Sequence, residues 1–119
     1  MAKVMIVDDD RTTVKLLQTL LELDGFEISS AGRGMDVIPL ALRNRPDVIL
    51  MDYHLTDIDG VEVLKQLRAN PELKLIPVVM ASGLDVAEEA LAAGAAKFLV
   101  KPFEPGDLPI LFHKLINQA

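Results

Sequence analysis

Residues 48–60 read V-I-L-M-D-Y-H-L-T-D-I-D-G. Val48 to Met51 is an unbroken apolar run that stops at Asp52, and a helical pattern begins near Asp59-Gly60. An apolar run this short, between Pro46-Asp47 and Asp52, predicts a strand covered on both faces. Such a strand belongs to a parallel sheet, and its carboxyl end is where open α/β folds gather their ligands. Asp52 therefore stands at the expected seat of chemistry.

The neighbouring segments repeat the theme. Lys3–Val7 predicts a strand ended by Asp8-Asp9-Asp10, and Asp10 can cap a helix over Arg11–Leu23. Val14, Leu17 and Leu21, flanked by Leu16 and Leu20, form the apolar face of that helix, and Gly25 stops it. Phe26–Ser30 is a more polar strand, expected at an edge. Gly34–Arg43 predicts a helix that Pro39 must kink or start late. Gly60–Ala69 gives a third helix and Ile76–Met80 a fourth strand. Asp85–Ala93 gives a short helix closed by Gly94, Lys97–Val100 a fifth strand, and Pro105–Asn117 a last helix with Leu108, Leu111, Phe112 and Leu115 inward. Strand followed by helix, five times over, calls for a parallel sheet with helices on both faces and right-handed crossovers.

Bulk properties narrow the classes of function. The 119 residues suffice for one domain, residues 1–119, and half of them are hydrophobic. Mean hydropathy is +0.30, which favours a packed domain over disorder. No apolar run approaches the roughly 20 residues of a membrane span. Met-Ala-Lys leads straight into a strand pattern, so no signal peptide is expected. Without cysteine there is neither a disulfide framework nor a thiolate metal site, which fits a cytoplasmic protein. Lys and Arg number 12 against 18 Asp and Glu, a net charge of −6, and no basic patch is visible. Direct nucleic-acid binding is therefore not expected.

The residues at the strand ends supply the chemistry. They are Asp8 and Asp9 after strand one, Asp52 after strand three, Ser82 after strand four and Lys101 after strand five. If strands one and three are neighbours, about three negative charges meet within a few ångströms, a costly arrangement unless compensated. A divalent cation together with the Lys101 ammonium brings the sum close to zero. Oxygen-only ligands suit Mg²⁺, or Mn²⁺ in its place. A cation beside a carboxylate, with a lysine and a hydroxyl opposite, is equipment for stabilising a phosphoryl group in transfer, with Asp52 as the nucleophile. Taken singly, these residues have plain readings: Asp8–Asp10 a helix cap, Asp52 a loop acid, Lys101 solvated surface, Phe98 core. Their joint placement at strand ends is what points to a site.

The chain resembles the receiver domains of two-component response regulators (CheY-like) from end to end. The resemblance rests on Asp8-Asp9, V-I-L-M-D ending at Asp52, Asp59-Gly60, P-V-V-M-A-S ending at Ser82, Gly94-Ala95, and F-L-V-K-P-F around Lys101-Pro102. It implies a flavodoxin-like (βα)5 fold with strand order 2-1-3-4-5. It also implies phosphorylation of Asp52 by a sensor histidine kinase or phosphotransfer protein. Mg²⁺ would be held by Asp9, Asp52 and the main-chain carbonyl of His54, with Asp8 helping directly or through water. Lys101 would neutralise the phosphoryl oxygens, ahead of a cis bond to Pro102. Ser82 and Phe98 would form the switch, repacking the face of the fourth helix, fifth strand and fifth helix towards a downstream protein partner. Such a domain assists its own phosphorylation and dephosphorylation without turning over a metabolite.

Three departures from the family pattern matter. Phe98 stands where tyrosine is common, so the readout is steric. The stretch from Ser82 to Lys101 is short by nearly a helical turn, which bears on any phosphorylation-dependent dimer through the fourth helix. His54 puts a titratable ring near the site, expected to affect phosphate lifetime. Rival readings fail on particular residues. A flavodoxin-type nucleotide binder needs a glycine- or hydroxyl-rich loop where Asp8-Asp9-Asp10 stands. A haloacid-dehalogenase-type phosphatase wants an acid at His54. A cobalamin-binding D-x-H-x-x-G motif would need glycine at Asp57. A degenerate receiver serving only as a docking module is the remaining alternative, and the filled acceptor, metal and lysine positions speak against it.

Overall fold

A computed structural model describes residues 2–118 of the chain. In chain order the elements are β1 (Lys3–Val7), α1 (Arg11–Leu23), β2 (Glu27–Ala31), α2 (Val37–Asn44), β3 (Val48–Asp52), α3 (Gly60–Ala69), β4 (Val78–Ser82), α4 (Ala87–Ala92), β5 (Lys97–Val100) and α5 (Leu108–Ile116). Short 3₁₀ turns, Gly34–Asp36 and Pro105–Asp107, lead into α2 and α5. All strand pairings are parallel, in the order β2-β1-β3-β4-β5. This is the flavodoxin-like arrangement.

Period-two alternation sends β-strand side chains to two separate cores. Met5, Val7, Ile49, Met51, Val78 and Met80 face α2, α3 and α4, meeting Val37, Ala41, Val63, Leu64, Leu67 and Ala90. Val4, Ile6, Val48, Leu50 and Val79 face α1 and α5, meeting Leu17, Leu21, Leu108 and Phe112. Covered on both sides, β3 is apolar from Val48 to Met51 because every position is buried. Each such side chain contributes about 1.5–3 kcal/mol on burial. The polar strand β2 lies at an edge, as its composition predicts.

Helix signals operate as expected at α1. The Asp10 carboxylate accepts the Thr12 N–H at 3.1 Å and the Thr13 hydroxyl at 2.8 Å. Gly25 closes the helix with φ +90°, where a side chain would be strained. Leu17 and Leu21 are buried, whereas Leu16 and Leu20 remain exposed.

Several boundaries differ from the sequence reading. β2 runs Glu27–Ala31 rather than Phe26–Ser30, and α2 starts late, at Val37, placing Pro39 in its first turn. β3 includes Asp52. β4 occupies Val78–Ser82, not Ile76–Met80, because Pro77 lacks the N–H a central strand needs while Ala81 pairs with both β3 and β5 and Ser82 with β5. α4 is reduced to Ala87–Ala92, its lead-in closed by an Asp85 carboxylate that accepts the Ala87 N–H at 3.3 Å. The last helix is 3₁₀ through Asp107, then α from Leu108 to Ile116.

Candidate functional site

The parallel sheet aligns the carboxyl ends of β1, β3, β4 and β5 along one edge. There the structure gathers Asp8, Asp9, Asp52 and Lys101. Carboxylate oxygens of Asp8, Asp9 and Asp52 lie within 4.8 Å of one another. The Lys101 ammonium reaches across the end of β4 to both strands beyond it, 3.6 Å from Asp8 Oδ2 and 3.3 Å from Asp52 Oδ1. Asp8 is only 8% exposed, and its Oδ1 accepts the Asp10 N–H at 2.9 Å. Burial pushes the Asp8 carboxyl above its ordinary value, against the Asp10 N–H and Lys101, with Asp52 and Asp9 adding to the rise. Three carboxylates against one ammonium leave an excess of negative charge in a small space. Hard oxygen donors so grouped fit a divalent cation such as Mg²⁺, and among the described residues no cysteine or imidazole nitrogen joins them.

The remaining expected residues lie on β4, on β5 and in the loop after β3. Ser82 is the last residue of β4 rather than the one after it. It is buried, its hydroxyl accepts the Leu84 N–H at 3.1 Å, and its carbonyl accepts the Lys101 N–H at 2.8 Å. Phe98 lies on β5 opposite Met80, half-buried on the side of α2, α3 and α4. The His54 ring is exposed, 4.7 Å from the Tyr53 ring between centroids. The Lys101–Pro102 peptide bond is cis.

Three further residues hold backbone in place, Gly60 and Asp57 around the β3–α3 loop and Arg68 at the opposite edge of the sheet. The sequence reading used Gly60 only as a helix start and motif position and gave the other two no structural role. Gly60 opens α3 so close to β3 that a Cβ there would lie 2.5 Å from the Asp52 carbonyl oxygen and 2.8 Å from Met80 Cε. A glycine at the first position of a helix is a visible sign of such crowding. Asp57 accepts the N–H groups of Gly34 and Met35, each at 2.9 Å, and these bonds hold its carboxyl below the ordinary range, Met35 foremost. Arg68 donates to the carbonyls of Gly94, Lys74 and Ile76. The Asp57 partners and Gly94 lie more than twenty residues away in sequence, so no local pattern announces them.

The family model of the response regulator receiver domain matches residues 4–112. The chain belongs to this family. Among solved structures, this receiver is similar to a putative response regulator from Chloroflexus aurantiacus, with TM-score 0.91, 31% identity and 98% of each chain covered. The chemotaxis response regulator CheY4 of Vibrio cholerae gives TM-score 0.89 and 30% identity over 97% of this chain and 98% of that one. Among curated proteins, the polar-differentiation response regulator DivK of Brucella anthropi is 36% identical over 102 residues, 83% of each protein. Response regulator PleD of Caulobacter vibrioides is 35% identical over 106 residues, and the receiver spans 23% of its length. The transcriptional regulatory protein PrrA of Mycobacterium tuberculosis is 38% identical, with 50% of its length spanned. The receiver thus covers a quarter to a half of several larger regulators.

Membership places the receiver in phosphorylation-dependent two-component signalling, as a signalling module. Receivers interact with histidine kinases or phosphotransfer proteins and generally bind Mg²⁺ at an acidic pocket of the kind formed here. Among the described residues, no helix is long and apolar enough to cross a membrane.

Proposed function

We propose that this receiver is switched by transfer of a phosphoryl group to Asp52 from the phosphohistidine of a sensor histidine kinase or phosphotransfer protein. An Asp52 carboxylate oxygen attacks phosphorus, a new P–O bond forms as the P–N bond breaks, and the imidazole departs. Asp8, Asp9, Asp52 and the His54 main-chain carbonyl would hold Mg²⁺. The bound ion supplies positive charge beside the phosphoryl oxygens. Lys101, 3.3 Å from the Asp52 carboxylate, meets the added negative charge from the opposite side. The single observation that carries this reading is the position of Lys101 Nζ, within 3.6 Å of carboxylates at the ends of two different strands.

Output follows from the same neighbourhood. Ser82 turns its hydroxyl from the Leu84 N–H to the phosphoryl oxygens, and Phe98 moves inward, repacking the face of α4, β5 and α5 for a downstream protein. The same reading places the protein in the cytoplasm and one domain over residues 1–119. The His54 ring, exposed next to the site, affects phosphate lifetime; equal dephosphorylation rates in wild type and His54→Ala would dismiss that role.

Intact mass after incubation with acetyl phosphate, with and without Mg²⁺, tests the proposal on wild type and Asp52→Asn. A Mg²⁺-dependent phosphoryl adduct on wild type alone is expected. If neither the adduct nor a beryllofluoride complex forms, the docking-module reading replaces this one.

A further inference from the structure

We propose that Asp57 is a positioning residue for the phosphoryl site, clamping the tip of the β3–α3 loop onto the turn before α2 so that His54 keeps its main-chain carbonyl in place. The inference rests on the reading of that carbonyl as a cation ligand. At its base the loop is closed by the Gly60 N–H, which donates to the Tyr53 carbonyl at 2.7 Å, and by an antiparallel bridge between His54 and Asp59. Its tip has a different attachment. Each Asp57 carboxylate oxygen takes one N–H, Oδ1 from Gly34 and Oδ2 from Met35, both at 2.9 Å and more than twenty residues away in sequence. Beside them Gly34 is pressed against the loop and α3 so tightly that a Cβ would lie 2.7 Å from Ile58 Cγ1 and 2.8 Å from Val63 Cγ2. The clamp therefore has a charged half and a packed half, contributed by adjacent residues, Asp57 and Ile58.

Charge-assisted bonds from both oxygens fix the carboxylate in direction as well as distance. Without them the loop keeps the base bridge between His54 and Asp59 but gains freedom at the tip, and the His54 carbonyl opens directly into that freed segment. A ligand carbonyl that must be ordered at the moment of binding weakens the site, because the ordering entropy is then subtracted from the affinity. Removing groups that orient metal ligands lowers metal affinity by about 10–100-fold in known sites. Asp57 touches neither the cation nor the phosphoryl group; it acts through the loop.

The test compares wild type, Asp57→Ala, Asp57→Asn and Ala41→Gly, the last a buried position in α2 that weakens the same helix without touching the clamp. Two quantities are read: amide exchange of Gly34 and Met35 by NMR without metal, and the Mg²⁺ dissociation constant by calorimetry. Asp57→Ala is expected to lose protection at both amides and to bind Mg²⁺ about tenfold more weakly. Asp57→Asn, which keeps one acceptor oxygen, should lose about threefold and retain one protected amide. Ala41→Gly should bind Mg²⁺ within about twofold of wild type even where its melting temperature falls as far. Asp57→Ala binding Mg²⁺ as wild type does overturns the proposal alone. Wild type that binds no Mg²⁺ overturns the cation reading and the proposal with it.

Discussion

Replacing Gly60 with alanine probes the tightest backbone approach at the site. The added methyl would lie 2.5 Å from the Asp52 carbonyl oxygen, 2.8 Å from Met80 Cε and 3.1 Å from Tyr53 Cα. Met80 can rotate away, but the other two atoms are main chain of β3 and its exit. Reaching ordinary contact, about 3.5 Å, requires α3 and the end of β3 to separate by most of an ångström. Overpacking of this kind costs about 1–3 kcal/mol. Against it stands about 0.4–1 kcal/mol from the reduced freedom of the unfolded chain. The net loss is about 1–2 kcal/mol, a fall of about 4–8 °C in melting temperature for a domain of this size. Because the displaced strand end is Asp52 itself, labelling by acetyl phosphate should also slow, by up to about 100-fold if the displacement reaches 1 Å. Calorimetric melting and intact-mass time courses measure the two effects. Gly32→Ala, where nothing lies within 4 Å of the new methyl, is the control and should melt at or above wild type. A Gly60→Ala protein that melts within about 1 °C of wild type and labels as fast would refute the steric reasoning.

Other perturbations separate charge from packing. Asp8→Asn keeps the bond to the Asp10 N–H and removes one of three crowded charges, so the metal-free protein should gain about 1 kcal/mol at pH 7 in urea melts; saturating Mg²⁺ should reverse the ranking, and a metal-free loss would count against carboxylate repulsion. Arg68→Met strips donors from the carbonyls of Gly94, Lys74 and Ile76. It should cost about 2–3 kcal/mol by urea denaturation, and a loss below about 0.5 would show that water replaces the guanidinium freely. Asp57 has a folded pKa below its unfolded value, so the stability it confers is present above the unfolded pKa and lost as pH falls through the folded one. The stability difference between wild type and Asp57→Asn should therefore be full at neutral pH and shrink below about pH 3.9; a difference unchanged down to pH 2 would deny the carboxylate its role.

The strand–helix alternation was legible because burial writes itself into local pattern. β3, buried on both faces, is an unbroken apolar word, and β2 at the edge is polar. The ends of elements were harder. Ala81 and Ser82 belong to β4, yet their small and polar side chains look like loop; only pairing with Asp52 and Val100 makes them strand. Asp85 suggested a helix start, but its carboxylate spends itself on a turn before Ala87. The cluster of Asp8, Asp9, Asp52 and Lys101 was legible because a parallel sheet brings every strand's carboxyl end to the same edge. Asp57 was not, since it acts on a backbone more than twenty residues away and a sequence carries no local trace of that distance. Nor was Arg68, whose acceptors are backbone carbonyls that no side chain marks, and Gly60 showed only as a helix start.

The lysine that spans β4 also says something about how such a chain can drift. Lys101, Asp8, Asp52 and Ala81 line one small cavity, and Ala81 is paired with Asp52 at the end of the strand that Lys101 must cross. The alanine's small side chain shares that cavity with a lysine that follows a different strand. Among descendants of this sequence, a bulkier residue at 81 and a retained lysine at 101 would be incompatible inheritances. The two positions should change together or not at all, although twenty residues of chain, a helix and a strand separate them.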